Sequence, residues 1–210
     1  MHKLRVVSIG SCLVALLAAP LAQAEEGEFQ LGLATPFLVY GSGTVDTEPE
    51  ETKITTTEWG ITHDVVAELG YGITPSLIVG GLVKLGGDST DTEVGDFDGE
   101  ESTFDLLLGP KLDYVLMPGD KVQPFVGGVI GYFSTSTSDD DNDSSVSLSG
   151  FQFMARGGVR IFPGKEFSID PWLGLSYLTG STEVENDAGN EDFDTSGFEV
   201  GVYLGISGWM

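Results

Sequence analysis

Three observations predict an all-β chain closed into an eight-stranded antiparallel up-and-down transmembrane β-barrel, with short periplasmic turns and long acidic extracellular loops. Eight segments alternate apolar and polar residues with a period of two. Their connections alternate strictly between short, proline-bearing turns and long acidic stretches. Each segment also supplies the roughly 9 to 11 residues that a tilted strand needs to cross a bilayer.

The segments run roughly over residues 28 to 40, 55 to 71, 77 to 87, 102 to 116, 122 to 134, 147 to 161, 167 to 180 and 196 to 210. In the second, Trp59, Ile61, His63, Val65, Ala67, Leu69 and Tyr71 form an oily face. Glu58, Gly60, Thr62, Asp64, Val66 and Glu68 form the other. Ile61, Val65 and Leu69 also fall at helical spacing, but no helical period recurs in the remaining segments. The fourth sets Phe104, Leu106, Leu108, Leu112 and Tyr114 against Thr103, Asp105, Lys111 and Asp113, with Leu107 and Gly109 also on the second face. The eighth sets Phe198, Val200, Val202, Leu204 and Ile206 against Glu199, Gly201, Tyr203, Gly205 and Ser207.

Segments two and three are joined by residues 72 to 76 (GITPS), four and five by 117 to 121 (MPGDK), six and seven by 162 to 166 (FPGKE). The other connections are residues 41 to 54, 87 to 101, 136 to 146 and 181 to 195, which hold 21 acids and one base, Lys53. A soluble barrel has no reason to segregate its loops in this way.

Residues 1 to 24 read as a secretory signal peptide, with Lys3 and Arg5 before an apolar run and Ala22-Gln23-Ala24 at its end. The barrel domain is then expected over residues 25 to 210. Cys12, the only cysteine, leaves with the leader, so no disulfide framework supports the mature chain. Without the leader, 33 acids face seven bases, a formal charge of −26. Such a surface excludes nucleic acid as a partner.

Aromatic residues stand near the ends of the oily faces, as two interfacial belts require: Trp59 and Tyr71, Phe104 and Tyr114, Phe167 and Tyr177, Phe198 and Trp209. The opposite faces carry Glu58, Asp64, Glu68, Lys84, Asp105, Lys111, Asp113, Gln152, Arg156, Arg160, Asp170 and Glu199. An eight-stranded carrier of apolar ligands has the reverse arrangement, so here the oily faces meet lipid and the charged faces form the lumen. Centring the first turn on Thr74 puts Asp64 opposite Lys84 as an ion pair. Centring the third on Gly164 puts Arg160 near Asp170 and Arg156 across from Trp172. Inward glycines such as Gly80, Gly109, Gly158 and Gly201 keep the interior from overfilling.

The phrases LGYGITPSLIVGGLV, LLLGPKLDYVL, VQPFVGGVIGYF and the final GFEVGVYLGISGWM resemble the small eight-stranded outer-membrane barrels, the OmpA transmembrane domain and OmpX-like family. The resemblance implies an outer-membrane location in a Gram-negative bacterium, contact with lipid and lipopolysaccharide, and insertion by the barrel-assembly machinery. This chain ends in Trp209-Met210 where the family ends in an aromatic residue.

The expected role is non-enzymatic, structural or surface-interacting, in a monomer. A small, weakly cation-selective pore and a lipid-modifying enzyme are the alternatives. For the enzyme, His63 is the one histidine of the mature chain, and its same-face neighbours are Ile61 and Val65, with no serine beside it. Residues 96 to 101 (DFDGEE) and 139 to 143 (DDDND) gather oxygen ligands without the spacing of a calcium loop. No catalytic, cofactor or metal residue is therefore assigned, and divalent cations are expected at the acidic loops only as weakly held counter-ions.

Overall fold

The computed structural model describes residues 27–47, 50–59, 64–94, 97–139, 144–164, 166–186 and 189–210. The expected leader, residues 1 to 24, lies outside them. The strands are β1 (Phe29–Thr47), β2 (Glu50–Trp59), β3 (Val65–Thr74), β4 (Leu77–Val94), β5 (Phe97–Val115), β6 (Val122–Asp139), β7 (Ser144–Ile161), β8 (Phe167–Asn186) and β9 (Gly189–Trp209). All pairings are antiparallel, and β1 also pairs with β9, so the sheet closes. The expected second strand is divided. β3 pairs with the first half of β1 and β2 with its second half, so the ring has eight members. The first and last strands meet at the seam: Phe29 N–H donates to the Met210 carbonyl at 2.7 Å, and Met210 N–H donates back at 2.9 Å.

The period-two alternation appears directly as burial. Along β3, Val65, Leu69 and Tyr71 are exposed on the outside, while Val66, Glu68 and Gly70 are buried inside. Outward aromatics form two belts. One holds Phe29, Tyr71, Tyr114 and Phe167, and the other Tyr40, Phe104, Tyr132, Phe151, Tyr177 and Phe198. Trp209 corrects the sequence expectation. It shares the parity of Tyr203 and Ser207, points inward and is 1% exposed, while Met210 takes the outward position. Trp59 belongs to β2, but its side chain lies outside what the structure describes.

The tight turns stand where expected. Gly119, after Pro118, has φ 86°, a conformation that glycine adopts without a Cβ clash. The long connections differ from expectation. Strands β4 to β9 are 18 to 21 residues long, about twice what a crossing needs, and the acidic stretches continue the hairpins rather than looping away. Cross-strand hydroxyl pairs line this outer half: Ser102 with Ser138 at 2.8 Å, Thr103 with Thr137 at 3.2 Å, Thr44 with Ser196 at 3.3 Å. Polar ladders of this kind hold strands together without apolar alternation. The only register shift between β1 and β9 lies between Pro36 and Leu38, where Phe37 is left outward at 53% exposure.

Candidate functional site

Inward side chains fill the lumen in four layers. Nearest the tight turns, Ile78, Val115, Phe162 and Trp209 form an apolar plug. Above it lies an ionic layer, then a second apolar layer with Val66, Leu82, Leu107, Val129, Phe133, Met154, Trp172 and Tyr203. At the mouth stand Asp64, Lys84, Asp105 and Glu199. The lumen is thus less polar than the sequence reading held. The reason is geometric: away from the mouth, water is excluded and aliphatic side chains pack better than lone charges.

The ionic layer is built around Glu68 on β3 and Asp113 on β5. Lys111 Nζ donates to Glu68, and Arg156 donates to Glu68 through Nη1 at 2.7 Å and Nη2 at 3.0 Å, a two-pronged pairing. Arg160 Nη2 donates to Asp113 Oδ2 at 2.6 Å. Arg156 Nε lies 3.1 Å from Asp113 Oδ1 at an angle too oblique for a hydrogen bond, so that contact is ionic only. Lys111 also donates to Gln30 Oε1 at 3.0 Å, Gln30 to Ser207, and Ser207 to Asp170. The acids Glu68, Asp113 and Asp170 balance the bases Lys111, Arg156 and Arg160, and all six are at most 5% exposed. A neutral, cross-linked set is the form in which buried charge is tolerated.

Aromatic rings bracket the guanidinium groups. Arg156 lies 4.7 Å from the centroid of Trp172, and Arg160 lies 4.4 Å from Phe125 and 5.3 Å from Trp209. Trp172 stacks on Tyr203 at 3.7 Å and 4°. Gly174 and Gly201, paired across β8 and β9, leave the room in which these rings lie; a Cβ at Gly201 would stand 2.5 Å from the Tyr203 ring.

The expected Asp64 to Lys84 ion pair forms at 2.7 Å, although the register differs by two residues: Val66 faces Lys84, and the pair is diagonal. The third turn is offset in the same way, with Arg156 opposite Gly174 and its contact with Trp172 diagonal. Arg160 pairs with Asp113 rather than Asp170. Asp105 accepts from Thr135 at 2.6 Å, Glu199 accepts from Tyr203 at 3.3 Å, and Gln152 is buried at 6% exposure. The side chain of Glu58, His63, Asp96 and residues 140 to 143 lie outside what the structure describes, as do the side chains of residues 97 to 101 and of Asp139. The sequence reading missed Gln30 and Ser168, whose inward parity was visible but which carry no charge to draw notice, and it set Ser207 on the inward face without its bonds to Gln30 and Asp170. Ser168 accepts from the Trp209 indole N–H at 3.2 Å.

Known structures share this architecture. The outer membrane protein OprG from Pseudomonas aeruginosa superposes with a TM-score of 0.55 at 14% identity, covering 90% of this chain and 98% of its own. The outer membrane protein AlkL, determined in DMPC bilayers, gives 0.52 at 13% identity, with 92% and 94% covered. The outer membrane protease OmpT from Escherichia coli gives 0.51 at 5% identity, with 90% and 99% covered. At these identities the likeness is one of fold. No curated protein matches the sequence. The sequence pattern of the outer membrane protein beta-barrel domain matches residues 9–205. The closed ring of eight strands, its two aromatic belts and this match together establish that the chain belongs to that family of Gram-negative outer-membrane proteins.

Proposed function

We propose that this protein is a non-enzymatic barrel whose lumen is closed to ions and whose role, structural or surface-interacting, is carried out by the acidic hairpins it holds above the membrane. The supporting observation is the ionic layer: six charged side chains from β3, β5, β7 and β8 neutralise one another across the lumen, with an apolar plug beneath. In this reading the chain is exported with residues 1 to 24 as a removable leader, inserted by the barrel-assembly machinery, and surrounded as a monomer by lipid and lipopolysaccharide. Weakly held divalent cations screen its hairpins.

A small cation-selective pore is the second reading. It draws on the mouth, where Asp64, Asp105 and Glu199 outnumber Lys84. An enzymatic role has the fold of the protease OmpT in its favour, and that likeness stops at the fold. The deciding measurement is conductance of the refolded mature protein in a planar bilayer. The closed-lumen reading expects no steady current; stable cation-selective steps would replace it with the pore.

A further inference from the structure

Beyond the outer aromatic belt two strand edges, on β2 and β4, have no partner strand between them among the described residues. β4 pairs with β3 only as far as Leu85, opposite Val65; from Gly86 to Val94 its one strand partner among the described residues is β5. β2 pairs, among the described residues, with β1 alone. β2 runs in the direction of β3, so these two edges are neighbours in ring order and antiparallel to each other. Gly87 sits opposite Phe104 and Thr57 opposite Tyr40, which places the start of both edges at the aromatic belt and the rest outside the lipid.

Each edge is about 30 Å long at roughly 3.3 Å per residue, and a strand edge of that length offers a row of N–H and C=O groups to an incoming chain. Edges are usually protected by proline, lysine or a covering segment. Neither stretch contains proline, and Lys53 is the only base in the two. Threonine, isoleucine and valine among them favour extended backbone. Glu50, Glu51, Glu58, Asp88, Asp91 and Glu93 against Lys53 give the two edges a formal charge of −5. A second copy of the same edges would be repelled by that charge.

We infer that the seam between β2 and β4 accepts an extended, basic segment of another surface polypeptide, which adds to the sheet as a strand. Main-chain hydrogen bonds supply the pairing, and lysine or arginine side chains on the incoming strand answer the acids. The inference rests on the surface-display reading for the direction in which the hairpins point, and is independent of whether the lumen conducts.

The test is amide hydrogen exchange of the full mature barrel in lipid nanodiscs, with a decapeptide of alternating lysine and valine as the probe. A second peptide with the same side chains and every backbone nitrogen methylated keeps the charge and cannot pair. Strand addition expects exchange within Gly86–Val94 or Glu50–Trp59 to slow about tenfold or more with the first peptide and not with the second. Equal slowing by both peptides would reduce the contact to charge attraction and overturn the inference, as would no slowing by either. Replacing Asp88, Asp91 and Glu93 by their amides should weaken uptake several-fold at low salt and little at high salt; uptake indifferent to these changes would remove the basic character assigned to the partner. Conductance on the same preparation tests the closed lumen separately.

Discussion

Arg156 holds the two carboxylates of the ionic layer together, since it meets both Glu68 and Asp113 and lies over Trp172. Arg156→Ala removes that link and leaves two buried acids short of positive charge. The expected cost is about 3 to 5 kcal/mol, read as a shift in the urea midpoint of the folded barrel in micelles. Asp64 and Lys84 stand nearer the mouth, with side chains 15% and 18% exposed, so water screens them. A double-mutant cycle with alanine at both positions is expected to give a coupling of about 1 kcal/mol. This pair was legible in the sequence because its members sit on adjacent strands joined by a tight turn, where even a register two residues out keeps them within reach. The Glu68, Asp113 and Arg156 cluster was not. Its members come from β3, β5 and β7, which do not adjoin, and turn arithmetic cannot see across a lumen.

Strand β7 shows how closely the elements approach. A Cβ built at inward Gly158 would stand 2.4 Å from the Pro171 carbonyl and 2.6 Å from Trp172 Cβ, whereas at lipid-facing Gly157 it would meet nothing nearer than 3.6 Å. Gly158→Ala should therefore cost about 1 to 3 kcal/mol and Gly157→Ala under about 0.5 kcal/mol, compared by the same urea titration. Equal losses would mean that the lumen yields to fill space. The membrane half of each strand was readable because lipid on one side and a packed interior on the other force a strict alternation. The outer half was not, since serine, threonine and aspartate recur on both faces there and mimic loop composition, while the hydroxyl pairs that hold it appear only once the strands are side by side.

The molecule as a whole is a barrel with two different ends: three tight turns and both described termini at one, hairpin tips at the other. With the turns in the periplasm, an epitope inserted at Asn142 is expected to be labelled on intact cells; labelling only after the outer membrane is broken would invert the orientation. The seam between Phe29 and Met210 carries a consequence in time. The pairing that completes the ring joins the most distant parts of the sequence, and contacts of such separation form slowly because a long loop must first be closed. The charges of β3, β5 and β7 come from strands that do not adjoin, so they meet only late, as the sheet curls into a ring. Arg156→Ala is then expected to speed unfolding while leaving the folding rate nearly unchanged, in stopped-flow measurements of the barrel in micelles. Once shut, the ring would be held by how slowly it reopens as much as by its equilibrium stability.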